Sequence, residues 1–394
     1  MEKNRKKIVM LQDFFGLGYT YQENLLTENY RRLGHEVVVI TSTFENVFDY
    51  THEKYDPSKK KKIEDYHGAK IIRLPYSLNF LNKLRKHSGV YEILAEEKPD
   101  LIFAHDIHLN LKEAVEYQKK FPECKIIMDY HADYTNSAKN WISLNILHKL
   151  IRKPFFNRYK KYLHKIYSIV PGSTTFLNEV YDVPYDSIEL LPLGCDYAKC
   201  NEVRQNTNIS EIRNQFGIKK EDIVIITGGK INQLKRIHLA VDAVKRLNLK
   251  NVHLIVFGKG DVNDEVYYEQ MKKNAEGYNV HFTGWIDSHT TYELMAASDI
   301  ALFPCSQSVL WQQSIGMHLP LIAGDFGGQD MSYLNRNNNL IKIDAQDINE
   351  EYFSKILLEL IQTPEKIDLM KKGAEKTAKE FLDYEIIARR TLED

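Results

Sequence analysis

Short apolar runs alternate with amphipathic stretches along almost the whole chain, and this alternation constrains the fold more than any other feature of the sequence. Residues 7–11 read as a buried strand, residues 20–33 have helical spacing, and residues 36–41 read as a second buried strand. This order is typical of β-α-β units on a parallel sheet. Further strands are predicted at residues 71–74, 101–104, 125–128, 166–170 and 188–192.

The pattern stops at a polar stretch, residues 198–208, which we interpret as a linker, and then begins again. A length of 394 residues also suits two α/β domains better than one. Because ligands of parallel sheets bind at the carboxyl ends of strands, we expect a site in a cleft between the two halves. In the second half, strands are predicted at residues 222–227, 252–257, 280–283, 300–303 and 319–323, and helices at 237–247, 351–362 and 364–388.

Charge and cysteine usage exclude several classes of protein. The formal net charge is -1, so the chain as a whole lacks the basic character of a nucleic-acid-binding protein. The scattered cysteines form no C-x-x-C pair, which argues against a disulfide scaffold or a zinc site and for a reducing compartment. The apolar stretch at the N-terminus is too short for a signal peptide, and no run approaches the roughly 18 apolar residues of a spanning helix. We therefore expect a cytoplasmic protein, unless it lies on a membrane surface.

The first predicted strand leads into a glycine-containing loop with Gly16 and Gly18. Glycines permit close backbone approach, and the start of the following helix attracts phosphate. The loop is not a full G-x-G-x-x-G, and no acidic residue ends the second strand, which disfavours a nicotinamide or flavin enzyme. An ordinary strand-helix turn is the alternative interpretation.

The second half opens with a stronger signal, the segment 227–236, TGGKINQLKR. Gly229 lies at the end of a predicted strand, and Lys230 and Lys235 are five residues apart, where both can reach a diphosphate. A lysine can stabilise a departing phosphate as a point charge in place of a divalent ion. A solvated basic loop before a helix is the alternative; the position of the glycines at the strand end favours phosphate binding.

Six short motifs lie in order along the two halves: Gly34-His-Glu-Val, Ala104-His-Asp, Leu191-Pro-Leu-Gly-Cys-Asp196, Gly229-Lys-(x4)-Lys235, Phe257-Gly-Lys-Gly260 and Phe282-Thr-Gly-Trp285. Read together, they resemble glycosyltransferase family 4 over nearly the whole chain. The resemblance implies the GT-B fold, an α/β architecture of two facing Rossmann-like domains with a deep cleft between them, and transfer with retention of configuration. We expect an acceptor domain at residues 1–200, a donor domain at 209–375, and a C-terminal helix at 376–394 that packs back on the first domain.

The resemblance also implies roles for individual residues. Lys230 stands where the family usually has arginine, and Lys235 matches its lysine, so both would bind the donor diphosphate and assist its departure. His131 resembles the family histidine that faces the transferred sugar and is the third predicted catalytic residue. The remaining donor-side residues are Gly16, Gly18, Gly229 and Gly258 near the phosphates and Trp285 and Ile286 beside the nucleobase; His105 and Asp106 are expected on the acceptor side.

The chain departs from the family pattern after the strand at residues 300–303. The family normally has two glutamates eight positions apart, whereas here Gln313 takes the place of the second, which binds the ribose hydroxyls. An amide can still accept those hydrogen bonds. The first glutamate has no counterpart, and Gln307 and Ser308 are the nearest candidates to meet the sugar. Ser308, Val309 and Leu310 could offer backbone N–H groups to phosphate at the start of a helix.

We expect no metal and no cofactor other than the nucleotide-sugar substrate. No D-x-D motif occurs, which disfavours a metal-dependent GT-A transferase. The pair His105 and His108 follows a strand and lacks clear further ligands, so we interpret it as structural or cleft-lining.

A basic tract at residues 148–165 carries seven Lys and Arg and no acid, interleaved with aromatic residues. It could contact an anionic membrane or hold a lipid-linked acceptor. A helix that packs its aromatic side chains inward explains the same pattern. Pro154 would start or break a helix there.

The most favoured function is therefore retaining transfer of a sugar, with a UDP-sugar preferred, to a glycan or lipid-linked acceptor in cell-surface polysaccharide synthesis. Such an enzyme would be cytoplasmic or peripheral on the inner face of the membrane, and nucleic acid is not an expected partner. Two alternatives remain open: a GT-B sugar-nucleotide epimerase, and a non-catalytic protein that binds a sugar nucleotide.

Overall fold

The computed structural model describes residues 5–46, 50, 60–260, 263–305, 308–326 and 330–393. The chain forms two compact units, of which the first contains Met1–Pro192 together with Ile387–Asp394 and the second contains Leu193–Ile386. Each unit has its own β-sheet. Among the described residues, no helix has the length and apolar character needed to cross a membrane.

The first unit has an eight-stranded sheet and a separate two-stranded hairpin. The strands are β1 (Lys7–Leu11), β2 (Glu36–Ser42), β3 (Lys62–Tyr66), β4 (Ala69–Leu74), β5 (Tyr76–Phe80), β6 (Leu84–His87), β7 (Leu101–His105), β8 (Lys125–Tyr130), β9 (Lys165–Ser168) and β10 (Ile188–Leu190). The sheet order is β10-β9-β8-β7-β1-β2-β4-β3, in which only β3 is antiparallel to its neighbour, and β5 pairs with β6 in the hairpin.

Helices connect these strands. They are α1 (Gln22–Arg32), α2 (Val90–Glu97), α3 (Leu111–Lys120), a π-helical segment (Ser143–Arg152), α4 (Lys153–Tyr159) and α5 (Pro171–Tyr181). The hydrophobic core forms where their apolar faces meet the central strands. Residues 8–11 of β1 are fully buried, and Val9 lies between Val38 of β2 and Ile102 of β7. Near-continuous apolar runs are what a parallel sheet covered on both faces requires.

The second unit has a six-stranded, wholly parallel sheet. Its strands are β11 (Ile223–Gly228), β12 (Val252–Phe257), β13 (Val280–Gly284), β14 (Ile300–Phe303), β15 (Leu321–Asp325) and β16 (Leu340–Asp344), in the order β13-β12-β11-β14-β15-β16. The helices are α6 (Tyr197–Asn206), α7 (Ile209–Gln215), α8 (His238–Leu247), α9 (Glu265–Asn274), α10 (Ser288–Ala296), α11 (Leu310–Gly316), α12 (Glu350–Gln362) and α13 (Pro364–Thr377). The last helix, α14 (Tyr384–Leu392), belongs to the first unit from Ile387 onward.

The predicted linker at residues 198–208 is wrong. Most of it belongs to α6, whose Cys200 and Val203 are buried in the core of the second unit. Asp196 caps the helix by accepting a hydrogen bond from the backbone N–H of Lys199 at 3.1 Å. The stretch resembles a linker in sequence because it has few apolar side chains, so the buried face of the helix has only a weak apolar pattern.

The single helix predicted at residues 364–388 is also wrong, because α13 and α14 are separate. Between them the backbone pairs with the segment before α6. The N–H of Cys195 donates to the carbonyl of Leu382 at 2.8 Å, and the N–H of Tyr384 donates to the carbonyl of Cys195 at 3.3 Å. A backbone in this extended pairing cannot continue a helix. Helical structure therefore stops at Leu382, after a π-helical turn (Ala378–Leu382) that follows α13, and resumes in α14, so the helix predicted at 376–394 is interrupted.

In both sheets the chain continues first to one side of the unit's first strand and later to its other side, so the direction of strand order reverses at that strand. In the first unit β1 lies between β2 and β7, and in the second β11 lies between β12 and β14. Ligands of open α/β sheets bind at the carboxyl ends of strands at such a reversal. Each unit therefore has one edge at which a site is expected.

Candidate functional site

The first unit has a cavity of about 270 Å³ at the carboxyl ends of β1 and β7. Three predicted site residues, His105, Asp106 and His131, line it together. His108, which the sequence indicated as structural or cleft-lining, also lies in the wall. The other polar side chains there were not predicted as site residues; they are Gln12, Asp13, Glu23, Lys83, Arg85 and Arg152. Polar side chains from separate parts of the chain converge here because adjacent parallel strands end at the same edge.

Asp129, at the end of β8, organises the histidines of this cavity. Its side chain is fully buried, and its Oδ2 atom lies 3.1 Å from both Nδ1 of His105 and Nε2 of His131. Gln22 of α1 donates a further hydrogen bond to Oδ2 at 3.0 Å. Burial alone would raise the pKa of Asp129, but the two histidines hold it well below its usual value.

The same contacts make His131 a base that stays protonated at neutral pH. Burial alone would lower the pKa of His131, but the charge of Asp129 outweighs it and raises the pKa to about 9. The backbone N–H of His131 also donates to Oδ1 of Asp106 at 2.9 Å. Asp106 has a φ of 61°, in the left-handed region, and its own N–H donates to the carbonyl of Asp129 at 2.9 Å. These bonds fix the loop that carries both predicted residues.

A second buried cluster forms around Asp13, directly after β1. Arg85 donates to Oδ2 of Asp13 through Nε at 2.9 Å and also through Nη2, and Nε2 of His108 lies 3.4 Å from Oδ1. Burial opposes ionisation of Asp13, yet Arg85 and His108 hold its pKa well below the usual value. His87 stacks on His108 with ring centroids 4.9 Å apart. Burial and the neighbouring His108 lower the pKa of His87 to about 3, so its imidazole is neutral.

Glu23 of α1 is a further titratable group in the wall of this cavity. Burial raises its pKa, while His105 and His131 oppose that shift. Its carboxyl group is therefore more easily protonated than an exposed glutamate.

Two side-chain groups, Asp13 with His87 and His108, and Asp129 with His105 and His131, have potential ligand atoms within 4.8 Å of one another. In both groups the carboxylate already contacts cations or hydrogen-bond donors of the protein. Both carboxylates therefore have partners within the protein, and metal independence stays a prediction.

The glycine loop after β1 does not line the first-unit cavity. Gly16 is buried, and a β-carbon there would lie 2.0 Å from the ring of Tyr19. Gly18 is exposed with open space around it, so packing does not require a glycine at that position. The phosphate role of both residues stays a prediction.

The second unit has a cavity of about 450 Å³ at the carboxyl ends of β11, β12 and β13. Sequence-predicted residues make up most of its wall: Gly229, Lys230, Gly258, Trp285, Ile286, Leu310 and Gln313. Sequence analysis missed Phe257, Lys259, Ser288 and Thr291. Of these, Lys259 could have been found, because it lies within the recognised motif Phe257-Gly-Lys-Gly260.

The floor of this cavity is backbone, because glycines bring two strand ends into direct contact. Gly229 and Gly258 have φ values of 103° and 99°, which favour glycine. A β-carbon on Gly258 would lie 1.9 Å from the carbonyl oxygen of Gly229. The N–H of Gly258 donates to the carbonyl of Gly284 at 2.7 Å. The strand ends of β11, β12 and β13 therefore form a smooth surface that a ligand can approach closely.

Lys235 lies beside this surface, in a short helical turn capped by Asn232, whose side chain accepts from the N–H of Lys235 at 3.0 Å. Its Nζ atom lies 3.7 Å from the position that a β-carbon on Gly229 would occupy. Burial lowers the pKa of Lys235, and no charged group contributes to the shift. Lys230 is exposed at the mouth of the cavity.

The segment before and within α11 supplies the opposite wall. Leu310 and Gln313 line the cavity, whereas Val309 is half exposed. The hydroxyl of Ser308 accepts from the N–H of Leu310 at 3.3 Å, so this N–H already has a partner. Gln307 lies outside the described residues.

The basic tract 148–165 packs its aromatic side chains inward. Phe156 and Tyr159 are buried in the core of the first unit, and Phe155 and Tyr162 pack against them. Pro154 lies in the first turn of α4, the start position that proline tolerates. The inward-packing interpretation is therefore correct for the aromatic residues.

Two family models match the chain. Residues 24–199 match Glycosyltransferase Family 4, and residues 221–362 match Glycosyl transferases group 1. Together the two matches cover most of both units. No curated protein sequence matches the chain.

Solved structures resemble the chain over almost its full length. A glycosyltransferase from Rickettsia africae is 13% identical, with 99% of this chain and 97% of that chain covered and a TM-score of 0.69. HepE from Anabaena, in complex with UDP, is 16% identical, with 98% of each chain covered and a TM-score of 0.68. WaaG, a glycosyltransferase involved in lipopolysaccharide biosynthesis, is 17% identical, with 98% of each chain covered and a TM-score of 0.56.

Proposed function

Because this chain belongs to the group 1 and family 4 glycosyltransferases, we propose that it transfers a sugar, with retention of configuration, from a nucleoside diphosphate donor to a glycan or lipid-linked acceptor. We favour a UDP-sugar as donor and cell-surface polysaccharide synthesis as the setting. HepE, in complex with UDP, and WaaG, involved in lipopolysaccharide biosynthesis, support these preferences by their shared fold.

The observation that carries the proposal is the environment of Lys235. Its ammonium group is desolvated, and no charged group among the described residues shifts its pKa. A cation in this state is costly unless an anion approaches it. Gly229 lies beside it, with a β-carbon position 3.7 Å from Nζ, so a phosphate bound to Lys235 would also reach glycine backbone. A diphosphate would supply the missing negative charge.

We propose that the second-unit cavity binds the donor through three kinds of contact. Lys230 and Lys235 bind the diphosphate, Gln313 accepts hydrogen bonds from the ribose through its amide oxygen, and Trp285 with Ile286 flank the base. The indole of Trp285 is 76% exposed in the ligand-free protein, and a base would cover it.

In the proposed transfer, the bond between the anomeric carbon and the diphosphate oxygen breaks. The acceptor hydroxyl forms its bond to the same face of that carbon, and its proton goes to the departing phosphate oxygen. Lys230 and Lys235 stabilise the negative charge that develops on the diphosphate, so the reaction needs neither a protein nucleophile nor a metal. We propose that the first-unit cavity receives the acceptor, and that His131 there faces the transferred sugar.

The test is the release of nucleotide from a panel of UDP-, GDP- and ADP-sugars, with and without EDTA. We expect Lys235→Ala to lower kcat/KM by about 10²–10³-fold, the range found when one transition-state donor is removed. Lys250→Ala removes an exposed lysine of the same unit, away from the cavity, and serves as the matched control. Circular dichroism and thermal unfolding should show both variants folded.

Three results would contradict the proposal. Full activity of the folded Lys235→Ala variant would remove the assigned phosphate site. Loss of activity with EDTA would contradict metal independence. Binding of a sugar nucleotide without release of nucleotide would favour the non-catalytic binder, an alternative that the missing first glutamate motivates.

A further inference from the structure

An exposed apolar surface lies on the first unit, outside both cavities. Along the segment before α4, five large apolar side chains face solvent; Trp141, Ile142 and Leu150 are 69%, 68% and 64% exposed. We call this surface the apolar ridge, and it consists of Trp141, Ile142, Ile146, Leu150 and Ile151. Isolated exposed apolar residues are ordinary, but a contiguous group marks an interaction site.

Ile146, Leu150 and Ile151 lie in the π-helical segment Ser143–Arg152, directly after Trp141 and Ile142. In a π-helix the N–H bonds to the carbonyl five residues earlier, so side chains four or five positions apart lie above one another. Residues 142, 146 and 150 or 151 have this spacing.

The opposite face of the segment is anchored in the core, so the ridge cannot rotate inward. His148 is fully buried, and its ring nitrogens lie 2.9 Å from the hydroxyl of Ser137 and 2.7 Å from that of Tyr181. Leu144 packs against the same core. The exposure of the ridge is therefore built into the fold of the unit.

The β5–β6 hairpin adds apolar side chains to this surface. Phe80 and Leu81, at its tip, are 54% and 75% exposed. Arg152, at the end of the π-helical segment, donates through Nη2 to the carbonyl of Lys83 at 2.8 Å, which ties the ridge to the hairpin. Lys83 and Arg152 also line the first-unit cavity, so the surface reaches the rim of that cavity.

The sequence around the ridge is rich in cations. No Asp or Glu occurs from residue 134 to residue 178, whereas Lys139, Lys149 and Arg152 lie in or next to the ridge segment, as does Lys153, which pairs with Asp182. The hairpin, residues 77–88, has two lysines and one arginine and no acid; of these, Arg85 and Lys86 pair with Asp13 and Glu113. An apolar face with cations beside it matches the interface of an anionic bilayer, where the acyl region meets acidic headgroups.

We propose that the apolar ridge and the hairpin tip insert into the interface of an anionic lipid bilayer. The chemistry of this partner follows from the apolar side chains at the centre and the cations beside them. The surface would hold the rim of the first-unit cavity at the membrane, where a lipid-linked acceptor lies; this consequence rests on the proposed function. The contact thus involves residues 141–151 and the hairpin, not the aromatic residues of the 148–165 tract.

The first experiment is co-sedimentation of the full chain with vesicles of phosphatidylcholine alone or mixed with phosphatidylglycerol. We expect binding to the anionic vesicles that weakens with salt, and little binding to the neutral ones. The triple variant Trp141→Ser, Ile142→Ser, Leu150→Ser should bind the anionic vesicles at least about tenfold more weakly, because apolar burial contributes to partitioning. The double variant Val266→Ser, Leu369→Ser removes similarly exposed apolar side chains, 79% and 67%, from the second unit and should bind normally.

The second measurement is tryptophan fluorescence in a Trp285→Phe background. Of the remaining tryptophans, Trp311 is buried and Trp141 is exposed, so a blue shift on adding anionic vesicles reports on Trp141. No shift during binding would overturn the assignment of the ridge as the inserted surface.

Further outcomes separate this inference from the proposed function. Unchanged vesicle binding by the triple variant, or no binding by the unaltered chain, would overturn the membrane surface. The ridge would instead be assigned to contact between two copies of the chain if two results occurred together. The unaltered chain would not bind vesicles, and the triple variant would sediment with a different coefficient from the unaltered chain. Lys235→Ala should bind vesicles normally yet release nucleotide with a kcat/KM lowered by about 10²–10³-fold, and the triple variant should release nucleotide in vesicle-free solution. Full activity of Lys235→Ala would overturn the proposed function and leave the vesicle result standing.

Discussion

At the scale of single residues, buried carboxylates position the histidines of the first-unit cavity and shift their pKa values. Asp129 has no exposed surface, yet it contacts His105, His131 and Gln22. Sequence analysis selected the two histidines through a family resemblance and did not select the carboxylate between them. Asp129 lies inside the apolar run of β8, where a single acid does not reveal which neighbours it will meet.

The Asp129–His131 pair predicts a pH-dependent stability. The pKa of His131 rises from 6.5 to about 9 on folding, so the pair stabilises the folded state fully below pH 6.5 and loses this contribution as the pH rises through about 9. The pKa of Asp129 is lowered on folding, so the same contribution is also lost at acidic pH. Asp129→Asn should therefore lower the free energy of unfolding most near pH 6, by about 2 kcal/mol. This loss is smaller than the usual cost of breaking a buried ion pair, because the side chain of His131 is 31% exposed to solvent.

Urea unfolding at pH 6 and at pH 10 measures this difference. Asp186→Asn, at an exposed position of the same unit, is the control and should change little at either pH. An equal loss for Asp129→Asn at both values would show that the pair does not act through the charge of His131.

Replacing Gly258 tests the close contact between two strand ends, and replacing Gly277 is the control for backbone strain alone. A β-carbon on Gly258 would meet the carbonyl oxygen of Gly229 at 1.9 Å, and φ is 99°. Gly277 has a similar φ of 82°, but nothing lies within 4 Å of its β-carbon position. Gly277→Ala should cost about 1–2 kcal/mol of stability through backbone strain alone.

Gly258→Ala should cost more than this by at least about 1 kcal/mol, because the strand ends must also separate. It should weaken nucleotide binding as well, which thermal shift with UDP would measure. Equal stability of the two variants would mean that the close contact between the strand ends is relaxed without cost.

At the scale of elements, α6 shows where a periodic pattern fails. Its buried side chains are Cys200 and Val203, three residues apart on one face, and Tyr197 packs against the same core. A window with so few apolar residues resembles a linker, although Asp196 is a recognisable N-cap.

Because α6 belongs to the core of the second unit, Val203→Ala should destabilise the protein by about 1–3 kcal/mol. Gln205→Ala, at an exposed position of the same helix, should change stability by less than about 0.5 kcal/mol. Chemical denaturation measures both. If Val203→Ala were as stable as Gln205→Ala, α6 would contribute little to the core and would behave as a linker.

At the scale of the whole molecule, the GT-B architecture predicted from the sequence is confirmed, with a Rossmann-like sheet in each of two units. The end of the chain contributes to the first unit. Arg390 donates through Nη2 to the carbonyl of Leu190 at 2.7 Å, and Tyr167 donates to the carbonyl of Arg390 at 3.3 Å. Lys6 donates to the carbonyl of Leu392 at 3.0 Å.

Removal of residues 387–394 should therefore loosen the first unit. We expect faster amide hydrogen exchange in β9 and β10 and a lower free energy of unfolding, because the hydroxyl of Tyr167 in β9 and the carbonyl of Leu190 in β10 lose their partners. Lys379→Ala, at an exposed position of the second unit, is the control and should leave exchange in β9 and β10 unchanged. Unchanged exchange after truncation would show that the C-terminal residues do not stabilise the first unit.

The sequence by itself determined the central strands, since β1, β12 and β14 have the predicted bounds. The segment 227–236 pointed to Gly229 and Lys230, and the family resemblance pointed to Gly258, Trp285 and Gln313; all five line one cavity. The strands and the glycines at their ends are local features, because both are read from neighbouring residues of the chain.

Only the tertiary structure decided which distant side chains share a buried charge or an exposed face. Asp13 meets Arg85 across 72 positions of the chain, and His105 meets Asp129 across 24. The exposed ridge depends on the burial of His148 behind it. Such contacts follow from how the elements pack, so no local pattern specifies them.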